Sequence, residues 1–172
     1  MSGPDPTREG FEEWVTARRA ALLRTAYLLT GDAHDAEDLV QVTLLNAVPK
    51  WPRIAANPEP YVRKILVRES ISRWRRRRWR EVATDRIPDA PVEGPGAERV
   101  VLQQALASLA PRQRAVIVLR YYEDLTEKET AAVLSISVGT VKSQARDGLG
   151  RLRELVPDLR LDEEEDAATV AP

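Results

Sequence analysis

The segment 81–96, EVATDRIPDAPVEGPG, interrupts every regular pattern in this chain. It holds three prolines and two glycines, shows no hydrophobic period, and lies near the middle of 172 residues. Proline fixes φ and removes a backbone donor, while glycine raises the entropic cost of ordering. The segment therefore reads as a flexible linker, not as a helix or a paired strand. Residues 1–80 and 97–172 are left as two pieces, each short enough for only a small unit with a thin core.

Both pieces carry helical spacing, and neither shows sustained strand alternation. Phe11, Val15, Leu22, Ala26 and Leu29 form one stripe, which Gly31 ends, and Asp32 is placed to cap the next helix. There Ala36, Leu39, Val40, Thr43, Leu44, Ala47 and Val48 make a wide apolar face, stopped by Pro49 and Pro52. Asn57 and Pro58 are cap and first residue of a third helix, with Val67, Ile71 and Trp74 on its inner side. Beyond the linker, Leu102, Leu106 and Leu109 begin the second unit. Thr126 and Glu129 have capping-box spacing, and a helix to Leu134, a three-residue turn and a helix over 138–153 follow. The expected fold is all-α: two small helical domains, 9–80 and 98–156, joined by a flexible linker at 81–97. An acidic, disordered tail covers 157–172.

Charge narrows the function. The net charge is only −1, but residues 61–80 carry nine basic side chains and one acidic. Residues 112–153 carry eight basic and five acidic, and the stretches around these two segments are acidic. Two separate anion-binding surfaces are implied. The absence of cysteine excludes disulfides and thiolate metal sites and fits a cytoplasmic protein. No apolar run is long enough to span a bilayer, and MSGPDPTREG lacks the apolar core of a signal peptide, so no membrane partner is expected. No nucleophile–base pair, phosphate loop or paired-carboxylate site is present, so no enzyme activity and no cofactor are expected. His34, Asp35, Glu37 and Asp38 point around one helix turn, and no second ligand cluster closes a metal site.

The second unit has helix-turn-helix dimensions. Ala131, Leu134, Ile136, Val141, Leu149 and Leu152 supply its inner side. Ser137, Thr140, Lys142, Ser143, Gln144, Arg146 and Asp147 lie at the start and outer side of the last helix, where short polar groups and bases suit a major groove. The first unit ends in RWRRRRWR, residues 73–80. Arg73, Arg75, Arg76, Arg77, Arg78 and Arg80 suit phosphates, which give affinity without sequence information. Trp74 and Trp79 lie about 140° apart on a helix, so Trp74 is assigned to the core and Trp79 to stacking on nucleic acid. On the second helix Asp35, Asp38 and Gln41, with Val42 and Leu45 exposed among them, form the mixed acidic and apolar patch a partner protein buries.

LAPRQRAVIVLRYYEDLTEKETAAVLSISVGTVKSQARDGLGRLR resembles region four of bacterial extracytoplasmic-function (ECF) sigma factors, SVGTVKSQ most specifically. LLRTAYLLTGDAHDAEDLVQ and PEPYVRKILVRESISRWRRRRWRE resemble the polymerase-binding and −10-reading parts of region two. The resemblance covers about residues 11–155 in order. It implies core RNA polymerase as partner, through the clamp helices of its largest subunit and its flap region. It also implies promoter DNA, duplex at −35 and single-stranded at −10, and an anti-sigma factor or the acidic tail is the candidate regulator. Tyr61, Arg63, Lys64 and Arg68 would join the arginine cluster and Trp79 at the −10 element, and Asp35, Asp38, Gln41, Val42 and Leu45 would meet polymerase. Asp147 departs from the family pattern, which commonly has Arg there. Three rivals remain: a stand-alone helix-turn-helix regulator dimerising on a palindrome, an adaptor that binds polymerase without promoters, and a small helical enzyme.

Overall fold

The computed structural model describes residues 6–81 and 96–159. The predicted linker from 82 to 95, the predicted tail from 160 onward and the side chains of Trp79 and Arg80 lie outside them. Among the described residues all regular structure is helical.

Helix α1 (Arg8–Thr30) starts at Thr7, whose hydroxyl accepts from Gly10 N at 3.4 Å. It ends at Gly31, whose φ of 78° is left-handed and whose N–H donates to Tyr27 O at 2.8 Å. Asp32 then caps α2 (Ala33–Ala47) by accepting from Asp35 N at 3.0 Å. The expected stripe of α2 is buried from Ala36 to Ala47. Val48, expected on it, is 47% exposed instead, because Pro49 converts the chain there into a 3₁₀ turn, Val48–Lys50. Pro52 does not stop a helix but sits in the first turn of the short α3 (Trp51–Ile54), where its missing donor costs nothing. Trp51 is buried edge-on to Phe11, with ring centroids 5.1 Å apart, and beside Trp14 at 5.6 Å. Helix α4 opens at Pro58 as expected and runs to Glu81. Arg18 grips Glu59 through two hydrogen bonds of 2.5 and 3.1 Å, pinning α4 to α1.

The second lobe begins at Ala97, inside the span expected for the linker, with α5 (Ala97–Ala107). Helix α6 (Pro111–Ile117) continues into a π turn, Val118–Tyr122, which no spacing in the sequence announces. The wider turn buries Val118 and Leu119, and Asp124 then takes a left-handed φ of 53°. Helix α7 (Glu127–Leu134) carries the expected capping box, Ser135 turns the chain at φ 54°, and Ser137 caps α8 (Val138–Leu155).

The lobes do not stand apart. Ala115, Val118, Leu119, Leu125 and Val133 of the second pack into the same apolar cluster as Leu22, Leu39, Leu66 and Val67 of the first. Two further clusters lie within or beside the second lobe, one around Leu106, Ile117, Leu149 and Leu152, the other around Val116, Ala131 and Val141. The buried Arg114 crosses the boundary, donating to Leu29 O at 2.7 Å and Ala107 O at 2.8 Å. It thereby satisfies carbonyls at the ends of α1 and α5 that no helical N–H reaches. Burial lowers its pKa from the usual guanidinium value, and these carbonyl dipoles hold the charge.

Candidate nucleic-acid interface

Helix α8 lies on the second lobe with Val141, Leu149 and Leu152 inward. Its close seat on α6 depends on Gly148, where an added Cβ would stand 3.1 Å from Ile117 Cγ1. Lys142, Arg146 and Asp147 are exposed on the outer face, while Thr140, Ser143 and Gln144 are half-buried beside them. Ser137 Oγ accepts from Thr140 N at 3.1 Å and shares a 2.8 Å hydrogen bond with Thr140 Oγ1. These hydroxyls are thus fixed at a helix N-terminus, where phosphate binding is favoured. Lys142 Nζ lies 3.6 Å from Glu127, and Arg146 Nε lies 3.6 Å from Asp147. The exposed Arg146–Asp147 pair contributes little and exchanges readily for phosphate. Val138, 37% exposed at the first turn of α8, is an apolar group on this end that the polar pattern concealed. A thymine methyl is its natural counterpart in a major groove.

The basic face of α4 is divided by its partners. Tyr61, Arg63 and Lys64 are half-buried. Arg63 turns to the second lobe and donates to Glu123 at 3.2 Å, and Arg68 donates to Ser135 Oγ. Arg76 lies 3.5 Å from Glu69, and Arg77 is paired with Asp35. Arg73 is half-buried and Arg75 exposed, while Arg78 sits over the Trp74 ring at 5.3 Å. Trp74, expected in the core, is half-buried: it lines an open cavity between α2 and α4, and its indole lies under the Arg78 guanidinium. The side chains of Trp79 and Arg80, both assigned to nucleic acid, fall outside the described residues.

The polymerase-type patch on α2 is only partly as expected. Asp38, Gln41 and Leu45 are exposed, Leu45 at 70%. Val42 is half-buried, since it lines a cavity of about 520 Å³ between α2 and α4 with Asp35, Asp38, Arg73, Trp74 and Arg77. Asp35 is largely covered by its pair with Arg77. A residue assigned to a protein partner is thus joined to one assigned to DNA, across 42 positions of sequence. Among the described residues no helix is long and apolar enough to cross a membrane.

Two family models match the chain: Sigma-70 region 2 over residues 14–80 and Sigma-70, region 4 over residues 105–154. The chain is 41% identical to the RNA polymerase sigma-E factor of Streptomyces avermitilis, over 88% of each protein. It is 33% identical to the ECF RNA polymerase sigma factor SigL of Mycobacterium tuberculosis, over 81% of this chain and 85% of that one. Among solved structures it is similar to the sigma factor RpoE from Bartonella quintana, crystallised with the anti-sigma factor NepR. There the TM-score is 0.70 with 27% identity, over 87% of this chain and 98% of that one.

Proposed function

The chain belongs to the ECF group of RNA polymerase sigma factors, and on that footing we propose how its residues divide the work. As a sigma factor it binds core RNA polymerase and directs promoter-specific initiation by recognising duplex −35 and melted −10 DNA. Sigma factors are initiation factors, not catalysts, and we assign this chain no reaction and no cofactor of its own. Its place of action is the cytoplasm, where polymerase and promoters are.

Helix α8 is the −35 reader. Lys142 and Arg146 neutralise phosphates, and Thr140, Ser143 and Gln144 face base edges, with Ser137 at a phosphate by the helix N-terminus. Asp147 lowers backbone affinity by repelling phosphate and by holding Arg146. Tyr61, Arg63, Lys64, Arg68 and the arginines from 73 to 80, with Trp79, serve the melted −10 strand. Charge tracks its backbone there, and the indole stacks on a base. Asp35, Asp38, Gln41, Val42 and Leu45 meet the clamp helices, where the exposed Leu45 is the apolar anchor. A basic group of polymerase that engages Asp35 releases Arg77, so docking and DNA affinity are coupled through one ion pair.

The observation that carries this division is that one chain joins an outward polar recognition helix, α8, to a second basic helix, α4. A stand-alone regulator would use only the first. The shared core, together with the bonds of Arg63 and Arg68 to the second lobe, supports a resting state closed over part of its own DNA surface. An anti-sigma protein could hold that state, as NepR accompanies the Bartonella sigma factor.

Permanganate probing of promoter DNA tests the reading, because only unpaired thymines react. Reactive thymines near −10 are expected only when core polymerase and this chain are both present. Protection of duplex DNA by the chain alone, without reactive thymines, would favour the regulator.

A further inference from the structure

Three exposed arginines, two from the first lobe and one from the second, line one cleft between the lobes. Arg68, Ser72 and Arg75 lie at i, i+4 and i+7 on one face of α4, and Ile71 floors the space between them. From the second lobe come Arg112, in the first turn of α6, Leu134 at the end of α7 and Ile136 in the helix-turn-helix turn. Together they line an open cleft of about 220 Å³ with no carboxylate among its lining residues.

The contrast with the cavity beside α2 is informative. That one collects Arg73, Arg76, Arg77 and Arg114 but balances them with Asp35, Asp38 and Glu69. Here the only described partner of the three arginines is Ser135, a neutral acceptor for Arg68. Like charges around one cleft repel one another. An anion from outside turns that repulsion into charge-assisted hydrogen bonds.

We propose that the cleft between Arg68, Arg75 and Arg112 is a binding site for a diphosphate group, present only when the lobes are closed. Three forked donors arriving from two walls match phosphoryl oxygens, which point in several directions, better than one planar carboxylate. Ile71, Leu134 and Ile136 offer an apolar wall to whatever the diphosphate carries. Because both lobes build the site, an occupant favours the closed form and withholds Arg68 and Arg75 from promoter DNA. The site rests on the closed packing and stands whether or not the −10 assignment does.

Titration of the free full-length chain with inorganic pyrophosphate tests this, followed by calorimetry and thermal melting, with sulfate at equal ionic strength as control. One-to-one saturable binding is expected, and melting should rise by roughly 5–10 °C at a hundredfold excess over Kd. Arg75→Gln and Arg112→Gln should each weaken binding about tenfold or more, while Arg53→Gln, on α3, should not. Unliganded melting curves confirm that the variants are folded. A nucleoside diphosphate that binds more tightly than pyrophosphate identifies a nucleotide as the source, and equal binding identifies free pyrophosphate. Unsaturable binding, an equal response to sulfate, or equal affinity in all three variants would overturn the proposal.

Discussion

Glu123 closes the π turn of the second lobe with its carboxylate turned into the first. There it accepts from Thr25 Oγ1 and from Arg63 Nε, the latter at 3.2 Å. The Arg63 and Glu123 side chains are 21% and 20% exposed, so the pair is mostly removed from water without being isolated from it. A charge-assisted hydrogen bond in this setting contributes about 1.5–3 kcal/mol, and the Thr25 bond about 1. Glu123→Ala removes both and leaves Arg63 largely covered without its anion, a loss of about 2–3 kcal/mol to the closed state. Glu123→Gln keeps an acceptor for Thr25 and should lose about 1 kcal/mol. At 1.4 kcal/mol per factor of ten, the alanine variant shifts the closed–open balance roughly 30- to 140-fold. Hydrogen exchange along α7 should report that shift as a loss of amide protection of the same size. A double-mutant cycle with Arg63→Gln should give a coupling of about 1–2 kcal/mol. Coupling below about 0.3 kcal/mol, or unchanged α7 exchange in Glu123→Ala, would refute the idea that this carboxylate holds the lobes together.

Three other perturbations follow from the same geometry. Asp147→Arg removes a carboxylate from the outer face of α8 and frees Arg146, so −35 duplex binding should tighten about five- to tenfold with a steeper salt dependence; anisotropy across a salt series checks this, and unchanged affinity would place Asp147 off the DNA. Gly150→Ala meets open space on the exposed side of α8 and should stabilise by up to about 1 kcal/mol, whereas Gly148→Ala drives a methyl against Ile117 and should destabilise; denaturant melts separate the two signs. Glu129 is held below its ordinary value of 4.5 by the Thr126 N–H and hydroxyl, and Asp32 below 3.8 by the Asp35 N–H. Their contributions are complete above those values and fall away as pH drops through the lowered ones. Melting temperature in acid should therefore fall less steeply in Glu129→Gln, which keeps the capping-box geometry but cannot titrate.

Local structure was legible in the sequence wherever a single residue type decides it. Gly31, Asp32, Pro58, Thr126 with Glu129, and Ser137 each mark a helix boundary found in the fold, because caps and φ limits act over three or four residues. The joining of the lobes was not legible. Val118, Leu119 and Val133 are apolar whether they face their own helix-turn-helix or the other lobe, and a helical period says which residues are inside but not inside what. Charge patterning likewise hides which basic residues are paired. Nine basic residues between 61 and 80 read as one DNA surface; Glu69 takes up Arg76 from two turns back on α4, while Asp35 and Glu123 take up Arg77 and Arg63 from other elements, which spacing does not relate. Trp74 and Val48 were placed inside by their stripe, and each lies partly outside, Trp74 on the open cavity between α2 and α4 and Val48 where Pro49 changes the helix pitch.

Run-off transcription with purified core polymerase on a library of promoter fragments, with and without this chain, measures the central claim most directly. Discrete new transcripts are expected only with the chain present, starting downstream of a paired −35 and −10 sequence. They should be lost when Arg73, Arg75, Arg76, Arg77, Arg78 and Arg80 are replaced by glutamine. A chain that binds core polymerase yet yields no transcript from any fragment, with its melting and lobe contacts intact, would contradict the account.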